Sequence, residues 1–238
     1  VTKTMRDPIA LMGAMDEEIK LLLEEMEDAR SRKAAGITYT QGRFRGHEVV
    51  VCRCGVGKVN AAAAVQVLVS EFRAHALIFT GVAGALHPEL EIGDIVVSSE
   101  SMQHDMDASP LGFAPGVIPF QEEWLFPADR KLVALAEAAC EKERVRFRVG
   151  RILSGDRFVA DRNEVQRLRG EFDGLCTEME GAAVAQVCRL NGLPHVVIRS
   201  MSDKANGEAP ASFADFTAAA SARSFAIVAG MLASWKES

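Results

Sequence analysis

Glu178 and Glu180 stand two residues apart in Cys176-Thr177-Glu178-Met179-Glu180-Gly181. In an extended segment they share a side, with Met179 facing the other way. Neighbouring carboxylates repel, so an ordinary surface strand gains nothing from such a pair. Vicinal hydroxyls, such as the 2′- and 3′-hydroxyls of a ribose, would give them donors to hold. Two more acidic sites follow apolar runs: Asp16-Glu17-Glu18 after Pro8 to Met12, and Asp203 after His195 to Met201. Acids at a helix start satisfy free N–H groups and favour the dipole, and capping is the stronger expectation for any one site taken alone. Together they match what cutting a purine from a sugar requires. The departing base needs a proton on a ring nitrogen, which an Asp203 desolvated at a strand end can hold. The sugar turns cationic as the bond lengthens, which calls for a second, ionised carboxylate and a directed water.

Other motifs carry less. Cys54-Gly55-Val56-Gly57-Lys58 lacks the Walker spacing, and Gly81-Val82-Ala83-Gly84-Ala85 lacks the dinucleotide fingerprint. Both are expected to be tight turns that admit a ligand close to the backbone. His47, His75, His87, His104 and His195 show no metal-ligand spacing. His104-Asp105 could form a couple, but loop residues of this kind are expected to hold the loop in shape. No metal and no cofactor is expected.

The elements that must position these acids alternate between strand and helix. Strands are expected at 8–12, 37–44, 49–54, 76–80, 94–98, 149–153, 176–179 and 195–201. Helices are expected from Asp16 (with Ile19, Leu22, Leu23 and Met26 at helical spacing), over 60–72, 128–142, 162–169 and 181–190, and from a Ser212 cap to about Trp235. Gly81 to Gly84 is expected to turn. The segment 104–123 is rich in Pro, Gly and Phe, lacks periodicity, and is the best candidate for a functional or interface loop. The pattern predicts one α/β domain over 8–238, with a twisted, mostly parallel mixed sheet flanked by helices, preceded by a 1–7 tail. In such sheets ligands gather beyond the carboxyl ends of the strands, where all three acidic sites fall.

Composition narrows the class. Of 238 residues 48% are hydrophobic, enough for a sizeable core, and the formal net charge is −6. A nucleic-acid partner would ask for a basic patch, and none is expected. Five cysteines at irregular spacing argue against a disulfide framework and fit a reducing cytosol. Cys52 and Cys54 are expected to share a strand face as small apolar filler. No apolar run is expected to reach a membrane span.

Seven segments then run in register: Gly13-Ala14-Met15-Asp16-Glu17-Glu18, Gly55 to Ala62, Thr80 to Gly84, Gly93 to Ser98, Ser154 to Phe158, Glu178 to Ala183 and Arg199 to Asp203. Together they resemble the bacterial 5′-methylthioadenosine/S-adenosylhomocysteine nucleosidases of the nucleoside phosphorylase superfamily, from about Pro8 to the carboxyl terminus. The resemblance implies Glu18 as the base that activates water, with Arg199 helping to place it. It implies Asp203 as the acid at adenine N7, oriented by Ser202, and Glu180 gripping the ribose hydroxyls with Met179 against the sugar. Phe158 would stack on adenine and the Val159 backbone read its edge, with Gly84 also in the site. Met15 and Val56 would line the alkylthio pocket. The family implies a homodimer whose loop after His104 carries Leu111 and Phe113 into the partner's pocket. Val82 stands where some relatives place a water-holding Ser, and Leu111 where some have an aromatic.

Three alternatives remain. A purine nucleoside phosphorylase would use phosphate, held by Lys58, Arg43 or Arg45; a carboxylate at Glu18 would repel it. An aminodeoxyfutalosine nucleosidase would share the whole set of acids. A binding protein without activity would have little reason to keep Glu18, Glu180 and Asp203 together.

Overall fold

The apolar run after Pro8 becomes β1 (Ile9–Gly13), whose alternate side chains serve two different cores. Ala10 and Met12 face one apolar layer and Ile9 and Leu11 the other, as a strand covered on both faces requires. The computed structural model describes residues 7–205 and 209–236; residues 1–6 of the expected tail lie outside the described residues. The order continues α1 (Asp16–Glu24), β2 (Glu27–Ala34), β3 (Ile37–Phe44), β4 (His47–Arg53), α2 (Lys58–Ser70), β5 (Ala76–Ala85) and β6 (Ile95–Gln103). After a 3₁₀ turn at Ser109–Leu111 come β7 (Leu125–Pro127), α3 (Arg130–Glu143), β8 (Phe147–Ser154), α4 (Arg162–Phe172), β9 (Cys176–Glu178), α5 (Gly181–Leu190), β10 (His195–Asp203) and α6 (Ala209–Ser234).

The strands form one ten-stranded mixed sheet. Helices α2 and α5 cover one face, packing Ala61, Val65 and Leu68 beside Val184 and Cys188. Helices α1, α3 and α6 cover the other through Ile19, Leu22, Leu132, Val228 and Met231. This is the expected three-layer α/β/α arrangement. Cys52 and Cys54 fill the first core, and all five cysteines are free.

The sheet forks at β5. Its first half pairs in parallel with β1 through Phe79, and its end pairs antiparallel with β9 at Gly84 and Ala85. Along its other edge β10 runs parallel from Leu77 to Gly84. Since β10 also pairs with β6, β6 with β8 and β8 with β9, strands β5, β10, β6, β8 and β9 close into a ring. Between the departure of β1 and the arrival of β9, residues 80–83 of β5 present an edge that no strand takes.

Four expectations are corrected. Gly81 to Gly84 is strand, not turn; the glycines are there because side chains from neighbouring elements occupy the space a Cβ would fill. Strand β2 had no signal, because its sequence EDARSRKA is polar throughout and exposed on both faces, as an edge guarded by charge can be. Ser212 lies inside α6, which begins at Ala209. Finally, Ala211–Ser234 is long and apolar enough to cross a bilayer; here it packs on β5, β10, α1 and α3 as a core helix.

Candidate active site

A cavity of about 280 Å³ opens at the fork in the sheet. Val82, Ala83 and Gly84 of β5 form its floor, and the loop before α1, the β9–α5 junction and the end of β10 form its sides.

Glu18 is the third residue of α1 and folds back over its start. Its Oε2 accepts the N–H groups of Ala14 (2.6 Å) and Met15 (3.0 Å), so the capping role is real. Its Oε1 accepts the Val82 N–H at 3.0 Å, on the edge of β5 left open by the fork. Capping thus holds a buried carboxylate at the cavity wall. Burial pushes its pKa up, and Arg199 with the three backbone N–H groups pulls it back.

The chain bends after Glu178 rather than staying extended to Glu180, so the two carboxylates divide their tasks. Glu178 is fully engaged. It accepts the Gly181 N–H at 2.8 Å, the Glu180 N–H at 3.3 Å, the Ser154 hydroxyl and the Arg199 guanidinium. Ser154 Oγ accepts the Ala182 N–H at 2.7 Å, so the pair caps α5. Glu180 is less committed: Oε1 accepts the Gly57 N–H at 2.8 Å, while Oε2 lies 3.7 Å from Arg199 Nη2. Burial, then the neighbouring Glu178 charge, pushes its pKa up to about 8.

Arg199 is fully buried with its guanidinium 4.0 Å over the Phe79 ring, and it stands behind the cavity rather than in its wall. Three carboxylates therefore share one cation. Full ionisation would leave two uncompensated buried charges, a cost in keeping with the raised pKa of both Glu18 and Glu180.

Asp203 ends β10 at the other side of the cavity. Oδ2 accepts the Ser202 hydroxyl at 2.9 Å and Oδ1 the Ala205 N–H at 2.7 Å. Burial raises its pKa against those two bonds. Glu18 is fixed at Val82, and Asp203 Oδ1 lies 2.8 Å from where a Cβ on Gly84 would stand. Two residues of strand separate these anchor points, or about 7 Å.

Met15, Val56, Phe158, Val159 and Met179 add apolar groups to the wall, and Arg157 lines it as well. Every expected site residue except Arg199, Leu111 and Phe113 lines the cavity. Those last two lie on the loop after β6, where Leu111 is 70% exposed and Phe113 packs edge-on against a Phe120 that is 91% exposed. Lys58, Arg43 and Arg45, the cations considered for phosphate, are absent from the wall. Among the described residues no three His, Cys, Asp or Glu side chains are placed to hold a metal.

The phosphorylase superfamily model matches residues 8–233. A 5′-methylthioadenosine/S-adenosylhomocysteine nucleosidase of Bacillus cytotoxicus is 41% identical over 210 residues, 87% of this chain and 90% of that one. The chain belongs to this nucleosidase family within the phosphorylase superfamily. The Neisseria meningitidis enzyme of the same name, solved with methylthio-immucillin-A, superposes with a TM-score of 0.93 at 37% identity, covering 97% of this chain and all of that one. A Helicobacter pylori futalosine hydrolase also superposes at 0.93, with 32% identity and 97% and 99% coverage.

For a nucleosidase of this fold several wall residues were missed, among them Ala14, Ala83, Arg157, Thr177 and Phe213. Phe213 of α6 meets the Phe158 ring edge-on at 5.7 Å, making an aromatic corner. Nothing in its sequence surroundings distinguishes it from Phe216, since α6 is apolar on most sides. Thr177 reaches the wall because β9 pairs with Gly84, a register that no local pattern announces.

Proposed function

We propose that this protein hydrolyses the N-glycosidic bond of 5′-methylthioadenosine and S-adenosylhomocysteine, releasing adenine and 5-methylthioribose or S-ribosylhomocysteine. The observation that carries it is the arrangement of carboxyls in one cavity: Asp203, whose pKa burial raises, on one side, and Glu18 and Glu180 on the other, sharing Arg199 with Glu178.

Asp203 donates its proton to N7 of the purine, so that the C–N electron pair leaves with a neutral adenine. Glu18, made a stronger base by burial, takes a proton from water, whose oxygen bonds to the anomeric carbon. The free oxygen of Glu180 holds the ribose hydroxyls, Met179 packs on the sugar, and Phe158 stacks on the base, whose edge Val159 reads with Gly84 beside it. Met15 and Val56 receive the alkylthio group. Phosphate would meet the Glu18 carboxylate on the water side, and Lys58, Arg43 and Arg45 stand outside the wall, which favours water as the nucleophile.

The exposed Leu111 and the half-buried Phe113 complete the pocket of a second copy in a homodimer, and the enzyme works in the cytoplasm. Incubation with 5′-methylthioadenosine, S-adenosylhomocysteine and aminodeoxyfutalosine in phosphate-free buffer, with chromatography of both products, tests the reaction. Free adenine and a free reducing sugar from the first two are expected. A sugar 1-phosphate formed only when phosphate is added would overturn hydrolysis, and base release from aminodeoxyfutalosine alone would reassign the substrate. Sedimentation of Leu111→Glu against the parent chain tests the dimer.

A further inference from the structure

Lys58 does none of the phosphate work that a lysine after a glycine turn suggests. Its ammonium donates to Asp105 Oδ1 at 2.7 Å and to Gln103 Oε1 at 3.0 Å. Its backbone N–H, first of α2, donates to Asp156 Oδ1 at 2.8 Å. Asp105 Oδ2 accepts the Asp156 N–H at 2.9 Å, and Gln103 Nε2 donates to Gln186 of α5 at 2.6 Å. One residue thereby closes a loop of bonds through the end of β6, the turn after β8 and α5.

Both segments it holds carry site groups. Asp156 is two residues before Phe158, and Gly57, adjacent to Lys58, gives its N–H to Glu180 at the head of α5. Gly57 has φ 98°, and a Cβ there would lie 3.2 Å from Asp156 Oδ1, so the two segments are already near contact. Burial works against the charge on Asp105, but the Lys58 and Asp156 bonds prevail and hold its carboxyl below the usual range. With Asp105 spent in this way, His104 has no partner on either ring nitrogen among the described residues, and the His104-Asp105 couple does not form.

We propose that Lys58, through Asp105 and Asp156, is a positioning residue for substrate binding. It fixes the Gly57 N–H that supports Glu180 and the turn that carries Phe158, and it leaves Glu18 and Asp203 untouched. The kinetic part of this rests on the nucleosidase chemistry proposed above. Lys58→Met should raise KM roughly tenfold, the worth of one charge-assisted bond, with kcat falling less than threefold. Losing the Gly57 donor also moves the pH at which KM improves upward. Lys58→Arg should restore part of the loss, and Asp105→Asn, nearly isosteric, should reproduce it should Lys58→Met fail to fold.

Amide hydrogen exchange supplies a measure independent of turnover: Gly57, Lys58 and Asp156 should lose protection in both variants. Folded variants with unchanged KM, pH profile and exchange would overturn the proposal. So would a parallel fall of kcat, kcat/KM and thermal midpoint with no change in KM. Absence of adenine release by the parent chain would remove the nucleosidase chemistry and leave the exchange measurement to decide the clamp.

Discussion

Gly81 and Arg199 are direct partners in the β5–β10 ladder, and the guanidinium crosses the space a Cβ on Gly81 would fill. Glu18 Oε1 crowds the same point from the other side. A strand residue without a side chain is therefore what lets the cation reach its carboxylates.

Gly81→Ala should displace both groups. A shift of about 1 Å at a reacting centre lowers turnover about a hundredfold, and overpacking costs about 1–3 kcal/mol of stability. Turnover together with a denaturant midpoint checks this; kcat within threefold of the parent would show that the passage tolerates a methyl.

Asp203→Asn keeps the Ala205 bond possible but carries no transferable proton. Turnover should fall by about 10²–10⁴ while nucleoside still binds. Single-turnover adenine release beside equilibrium binding measures both, and near-parental release would take the acid role away from Asp203.

Glu180 sets a pH dependence. With a pKa of about 8 in the empty site it is mostly neutral at pH 7, whereas ribose hydroxyls donate best to the ionised form. Binding therefore releases a proton, and KM should fall as pH rises towards about 8 and level off above it. For stability the sign is opposite. The folded pKa exceeds the unfolded value, so the contribution is full below about 4.5 and is lost as pH rises through about 8. Glu180→Gln should flatten both profiles and raise the melting temperature at pH 8 by about 2–4 °C for each kcal/mol recovered. A parental KM profile in that variant would contradict the assignment.

Arg199→Met leaves three buried carboxylates without a cation. The expected loss is about 3–5 kcal/mol at pH 8, and less at pH 5, where protonation relieves the repulsion. Denaturant titrations at the two pH values compare them; an equal loss at both would mean that stacking on Phe79, rather than charge, is what Arg199 contributes.

What sequence made visible was local. Helix α5 begins and ends where expected, because Gly181 and the turn at Asn191–Gly192 bound an apolar stretch. Strand β10 was plain from its β-branched run. The Glu178–Glu180 pair stood out because neighbouring carboxylates repel, and Asp203 because it ends an apolar strand, whereas Glu18 was picked from Asp16-Glu17-Glu18 only through the family resemblance. Hidden were the things fixed by distant neighbours. Gly81 to Gly84 looked like a turn because glycine usually marks one, and the reason for glycine there lies on β10 and α1. Glu178 looked like the twin of Glu180 until its oxygens proved to be taken by Ser154, Gly181 and Arg199. Strand β2 was silent because an edge needs no apolar face.

The ring formed by β5, β10, β6, β8 and β9 has a consequence for assembly. Glu18, Val82, Glu180 and Asp203 come from regions far apart along the chain, and no fragment holds them all. Only three residues of β9 bridge β8 to β5. A chain arrested before that short bridge is made would keep nearly all its helices and ladders yet release no adenine. Catalytic competence should thus be the last property to emerge on refolding and the first to vanish under mild denaturant.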